Sequence, residues 1–491
     1  MALDDPDVPH TVPGIPHATA GRLLRRPGLW GFPTLIMIIV TTVLTLAYMG
    51  GILNPTGNLH HFPMAVVNQD QSVRTGAGPL DAGELDLGPR IAQGIASMPD
   101  PGQRVQWRVM SMDQAQREMD KDALYGAVVI PAGFSADTVA LTRTADGDAA
   151  PRQPALELLT NPRSGSMATS IAQGIGDQVA QTVSQQVAAT LAQHAGPAGP
   201  TVHRVPTAEA ILLADPVTLH TVEHRPLGNH SGFGLSSFYV SLLLTLTAYL
   251  TAGFMSSTVD FALGYQSSER GRRWALRLPL PITRTQTLLA KMAMSVALAP
   301  VTATVVLGSC AVILHMDTSH FAQLWIYSVC ATIAIGVSAQ AVLSLLGGLG
   351  TLVGMLFFVA LAVPSSGGSF PLQAVPAAYR WLAVFEPMRQ INEGVRSLLY
   401  FDGRADAGLL RAWIMIAVGC ALGLLLGLVV AKVRDLRGHQ RLTARQLTAV
   451  HSAASAAPLK PARSHRRVHP GRGLTAALSL LVKPGTGRTT G

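Results

Sequence analysis

The stretch Glu269-Arg270-Gly271-Arg272-Arg273-Trp274-Ala275-Leu276-Arg277-Leu278-Pro279-Leu280-Pro281-Ile282-Thr283-Arg284 separates two long uncharged segments, Ser231 to Val259 and Met292 to Leu314. With its arginines and Lys291 just beyond, it is the most basic loop between apolar segments. Positive charge flanking membrane spans stays on the cytoplasmic side. The loop therefore orients the whole chain, and every other segment can be placed relative to it.

Bulk composition agrees. Of 491 residues, 48% are hydrophobic and only 13% are charged, where a soluble domain carries about 25% charged residues. Mean hydropathy is +0.32. The net charge of +9 is concentrated toward the C-terminal end. From Lys432 onward Lys and Arg recur against a single acid, Asp435. Beside a membrane such a segment reads as attraction to anionic lipid. It holds no Phe, Tyr or Trp to stack on a base, so nucleic acid is not an expected partner. The cysteines, Cys310, Cys330 and Cys420, all fall within expected spans. The large polar region must then fold without disulfides, which suits a bacterial envelope protein.

Taken in order, residues 1–28 form a cytosolic N-terminal segment closing on Arg22, Arg25 and Arg26. Residues 29–49 are apolar and long enough for a first transmembrane helix. No Ala-x-Ala site follows, and the run exceeds a signal-peptide core, so a retained helix is expected. Residues 50–232 form a polar insert of domain size. Pro63 to Asn68, Val105 to Met110, Tyr125 to Ile130 and Ala155 to Leu159 read as strands. Ile91 to Met98 and Gln114 to Asp122 read as helices, the latter capped by Ser111 or Asp113. Ser164 to Ala192 is a long helix whose Ile171, Ile175, Val179, Val183 and Val187 keep one face apolar. That face suits covering a sheet, with pairing to a second copy as the alternative.

Residues 233–431 form a five-helix membrane domain, with spans near 235–258, 292–314, 323–344, 346–363 and 412–431. No charge occurs from Phe321 to Tyr379, too long for one crossing, and Gly347-Gly348-Leu349-Gly350 divides it. The expected class is thus an α-helical membrane protein of six transmembrane helices, with an α+β extracytoplasmic domain inserted between helices 1 and 2. Both termini, the loop 260–291 and the basic, disordered tail 432–491 fall in the cytosol of a bacterial cell. The outer loop 364–411 holds Arg380, Arg389, Arg396, Arg404 and Arg411, against the charge rule. Within it, Glu386 to Tyr400 reads as an amphipathic helix: Met388, Ile391 and Val395 share one side, and Arg389, Glu393 and Arg396 occupy others. It lies at the outer surface or folds back against the bundle, as an outer gate or as a connector.

Gly419, Gly423 and Gly427 line one face of the sixth span, and Gly350 and Gly354 mark the fifth. Small residues let helices approach closely in lipid, here within the chain or, as the lesser alternative, across a dimer seam. His220-Thr221-Val222-Glu223-His224 matches a zinc pattern that needs a helix, but Pro216 and Pro226 leave little room for one. No metal or cofactor site is expected, and no nucleotide-binding motif occurs. Neither a nucleophile nor an acid–base pair points to an enzyme.

Four stretches, in order, resemble ABC-2-type transporter permeases, closest to their YhgE/phage-infection-protein-like (nitrosoguanidine-resistance-like) branch. They are Pro63-Met64-Ala65-Val66-Val67-Asn68-Gln69-Asp70, Tyr125 to Ser135, Leu278 to Arg284 with Lys291, and Pro364-Ser365-Ser366-Gly367-Gly368 with Phe385-Glu386-Pro387. The resemblance covers about 30–431. It implies a permease, working as a homodimer in the bilayer, that exports a hydrophobic or amphipathic compound or a cell-envelope component. The ATPase would be a separate chain docking on Glu269, Arg270, Arg272, Arg273, Trp274, Arg277 and Arg284. The alternative function is a non-transporting receptor or scaffold acting through the outer domain.

Overall fold

The protein is described by a computed structural model over residues 27–52, 54–74, 84–100, 102–141, 152–194, 215–266, 268–270, 273–275 and 282–438. After helix α1 (Pro27–Ile52) comes strand β1 (Phe62–Asn68), a Val-rich run whose residues are buried up to Val67. Beyond the two-residue strands β2 (Val73–Arg74) and β3 (Glu84–Leu85) lie α2 (Leu87–Ala96), β4 (Val105–Val109), α3 (Met112–Asp120), β5 (Gly126–Ile130) and α4 (Phe134–Ala140). Strand β6 (Ala155–Thr160), helix α5 (Ser166–His194) and strand β7 (Thr218–Glu223) complete the unit.

These strands form one sheet in the order β4-β1-β5-β6-β7. β1 runs parallel to both β4 and β5, with Val66 opposite Val109 and Val128. β6 is antiparallel to β5 and parallel to β7. Side chains alternate across the sheet, and each face has its own cover. Met64, Val66, Val128, Ile130, Leu156 and Leu158 pack under Ile91 and Ile95 of α2 and the spaced-by-four stripe of α5. Ala65, Val67, Ala127 and Val129 pack against Ala115, Met119 and Leu124. The α5 stripe is therefore used within the chain, over the sheet. Helix α3 begins with a Ser111–Gln114 capping box. His220 and Glu223 lie on strand β7, where three residues' separation turns them to opposite faces, and His224 binds Asp120 at 3.0 Å.

Among the described residues, four helical stretches are long and apolar enough to cross a membrane: Ser236–Ala262 (α6), Arg284–Ile313, Phe321–Ser365 and Leu409–Leu436 (α13). The second consists of α7 (Arg284–Gly308) and a wider terminal turn. The third, at 45 residues, would measure about 68 Å as one helix, against a hydrocarbon core of about 30 Å. It is broken instead. α8 (Phe321–Leu346) ends at Gly347, whose φ of +58° only glycine adopts without strain. The chain then doubles back so tightly that a Cβ on Gly350 would lie 2.8 Å from the Leu343 Cα. α9 (Gly350–Met355) and α10 (Ala362–Ser365) form the return. α11 (Ala377–Leu382) and α12 (Pro387–Tyr400) precede α13.

Gly423 and Gly427 face α8: a Cβ at 423 would strike Ser338 at 2.6 Å, and one at 427 would crowd Ala341 at 3.1 Å. Gly354 lies against the Tyr249 ring, whereas Gly419 faces open space. Inside the bundle, Gln340 donates to the Ala252 carbonyl at 2.8 Å and to Ser295 Oγ at 3.1 Å, tying α8 to α6 and α7. At the bundle end nearest the 268–275 hairpin, charged groups meet unsatisfied helix termini. Asp435 accepts from the Arg284 and Thr285 amides at 2.9 and 3.0 Å, at the start of α7. Arg434 donates to the Ser344 and Leu345 carbonyls at 2.9 and 2.7 Å, at the end of α8. About two turns further along α7, buried Lys291 pairs with Asp260 at 2.8 Å and donates to Ser256 Oγ at 2.8 Å.

Candidate functional site

α12 is the helix on which the two halves of the molecule meet. Its apolar residues Met388, Ile391, Val395 and Leu398 are buried, and it packs on α6, α8 and α13. Of the two placements compatible with its amphipathic pattern, it takes the one against the bundle. The approach is close: a Cβ on Gly394 would sit 2.2 Å from the Tyr327 ring, so any larger residue there would displace the ring. Tyr327 in turn donates to the Gln390 carbonyl at 3.0 Å.

The helix starts at Glu386, which has no exposed surface and accepts from the Met388 and Arg389 amides at 2.8 and 2.7 Å. Burial outweighs those bonds and pushes the carboxyl up to about 8. Arg389, Glu393 and Arg396, spaced 4 and 3 apart, form a polar stripe away from the apolar face. Arg389 binds Glu393 Oε1 at 3.0 Å, and Arg411, in the first turn of α13, reaches the same oxygen at 3.5 Å.

The α/β domain supplies the opposite wall. After α3 the chain turns through Asp122 in the left-handed region, at φ +58°. Asn161 holds this turn by donating to the Met119 and Leu124 carbonyls at 2.9 and 3.2 Å. Asp122 is thereby aimed at α12, where it forms a buried ion pair with Arg396 and accepts from Ser164 Oγ at 2.6 Å. Burial works against the Arg396 charge, but Asp122, Tyr125 and Glu393 outweigh it and raise the guanidinium above its ordinary value. Tyr125, buried beside them, donates to Gln373 Oε1 at 3.1 Å, and burial together with Asp122 pushes its hydroxyl up to about 12. Between the walls lies a cavity of about 230 Å³, lined among others by Lys121, Tyr125, Arg389, Arg396 and Arg411.

Glu386, Met388, Arg389, Ile391, Glu393, Val395 and Arg396 are thus gathered on one helix at one junction. The loop residues lie elsewhere. Glu269 and Arg270 stand in strand β8 (Ser268–Arg270), paired with β9 (Arg273–Ala275), so that Glu269 is opposite Trp274 and Arg270 opposite Arg273. Arg272 and Arg277 lie outside the described residues. Arg284 opens α7. Sequence reasoning missed Asp122, Tyr125, Ser164 and Gln373, because nothing in their local spacing points across the molecule to α12.

The chain belongs to the family described as a protein of unknown function, DUF3533, whose family model matches residues 33–419. That span begins in α1 and ends in α13, so the α/β domain, the junction and α12 all belong to the family unit. No curated protein matches the chain. Among solved structures, a "domain of a putative ABC type-2 transporter from Thermotoga maritima MSB8" matches at 18% identity, covering 33% of this chain and 86% of that one, with a TM-score of 0.21. So slight a likeness places neither fold nor function.

Two outcomes follow from the junction. Removing one partner of a buried ion pair costs about 3–5 kcal/mol, whereas removing both costs less. Asp122→Leu and Arg396→Met should each sharply lower the thermal stability of the detergent-solubilised chain, and the Asp122→Leu/Arg396→Met pair should fall short of their sum; additive losses would mean the two side chains do not interact. Glu386 has a folded value of about 8, above the ordinary carboxyl value of 4.5. Its protonated form is favoured by folding, so its contribution is complete below about pH 4.5 and is lost as pH rises through about 8. Stability should decline over that window in the wild type and decline less in Glu386→Gln; identical pH slopes would refute the assignment.

Proposed function

We propose that the chain is the membrane subunit of an ABC-2-like exporter in a bacterial plasma membrane. It has six spans, counting α1 and dividing the 321–365 run into two, and acts as a homodimer. The α/β domain lies outside the cell, and both termini and the 268–275 hairpin lie in the cytosol. The cargo is a hydrophobic or amphipathic compound or a cell-envelope component, and ATP is hydrolysed by a separate chain.

The observation that carries this reading is the double attachment of α12. It is buried among α6, α8 and α13, yet its polar stripe is held by Asp122 of the outer domain. A displacement of the outer domain would therefore pull on a helix packed among three others of the bundle, as an outer gate requires. At the other end, the hairpin joins α6 to α7, and the start of α7 is bound to Asp435 of α13. A protein docked on the hairpin would thus bear directly on three helices. The ordered likeness of four sequence stretches to ABC-2 permeases supports the same assignment.

Affinity purification of the tagged protein tests it. A stoichiometric ATPase should co-purify and should be lost when Arg270, Arg272 and Arg273 are replaced by Glu. A self-oligomer with no ATPase would refute the two-chain exporter and move the outer domain to the role of receptor or scaffold.

A further inference from the structure

We infer that the cavity between the outer domain and α12 binds a phosphate-class oxyanion, carried by a lipid headgroup or free in solution. The inference rests on the membrane placement of α13 and not on export.

Charge is the first reason. Lys121, Arg389, Arg396 and Arg411 line the cavity, against Asp122 and Glu393. Asp122 is used by Arg396, and Lys121 is 3.4 Å from Glu118. Arg389 and Arg411 are then left sharing one carboxylate, and both approach its Oε1. The other oxygen, Oε2, is buried and accepts no hydrogen bond among the described residues. Cationic side chains thus outnumber the carboxylates that line the cavity. Arg411 is the loosely held one: its side chain is 47% exposed and its contact is 3.5 Å, against 14% and 3.0 Å for Arg389. A second oxyanion would take Arg411 at no loss to the Arg389–Glu393 bond, and planar guanidinium groups favour phosphate.

Backbone is the second reason. α13 begins at Gly408, which lines the cavity, has φ +95° and gives the helix no side-chain cap. The N-terminus of a long helix thus faces the same space as Arg411, beside the Glu393 side chain, and adds its dipole to the guanidinium charge.

Position is the third. α13 has 28 residues, about 42 Å, which matches the roughly 40–45 Å of a bilayer with its headgroups. Its ends then lie at the level of lipid phosphates, and the cavity lies at one of them. A volume of about 230 Å³ is many times the roughly 10–15 Å³ that one water requires by the same measure, room enough for a headgroup phosphate.

The test uses the full-length protein in detergent, with phosphatidylglycerol, diacylglycerol or inorganic phosphate added. Phosphatidylglycerol should bind and raise the unfolding temperature, diacylglycerol should not, and Lys121→Gln/Arg411→Gln should weaken the binding by about tenfold or more. Both side chains are partly exposed, so the variant is expected to fold; should it not, the wild type still decides the matter. Phosphatidylglycerol should then slow phenylglyoxal modification of Arg411 but not of Arg404. Protection by inorganic phosphate alone identifies a free anion as the source, and protection by lipid alone identifies a headgroup. Binding that survives the double substitution, or Arg411 modified at an unchanged rate in the presence of both probes, would overturn the inference. Neither readout involves transport, so failure here leaves the export reading standing, and the converse holds too.

Discussion

The buried pair of Asp122 and Arg396 is the contact on which the relation between the two halves of the protein depends. An isolated ion in that position would be very costly. Each therefore requires the other, and Ser164 adds a further bond to the carboxylate. The pair joins the turn after α3 to the second half of α12 and, with the Tyr125–Gln373 bond, holds the domain against that helix. The left-handed turn at Asp122, the amide clamp of Asn161 and the crowded Gly394–Tyr327 contact all serve to bring these two side chains together.

The opposite end of the bundle follows a different rule. There the charged groups do not bridge domains; they finish helices. Asp435 satisfies the first amides of α7 and Arg434 the last carbonyls of α8. Neighbouring residues of one helix end thus hold the termini of two others, with the Lys291–Asp260 pair just inside. Between the two ends, cohesion comes from close approach at Gly423 and Gly427 and from one buried amide, Gln340. In lipid, where apolar burial gives helices little reason to associate, these are the interactions that hold a bundle.

Much of this was legible in the chain and some was not, for physical reasons. Strand β1 and the α5 stripe follow from local periodicity, which needs no knowledge of partners: Val66 and Val67 favour strand, and residues from Ile171 to Val187 repeat every four. Gly347 announces the break in the long apolar run because only glycine tolerates its backbone. The two-faced character of α12 is likewise written in its own residues. What it packs against is not. Asp122 reads locally as the end of a helix, and its role depends on a left-handed turn and on a partner far along the chain. Asp435 reads as one acid in a basic tail, although it caps α7. Such long-range polar pairings leave no periodic trace.

The most direct measurement is the distance distribution between spin labels on Arg117, exposed on α3, and Ala405, exposed between α12 and α13, in the reconstituted full-length protein. A single narrow distance in the wild type that broadens in Arg396→Met would show that the ion pair seats the α/β domain on α12. A broad distribution in the wild type, or one unchanged by the substitution, would contradict the account.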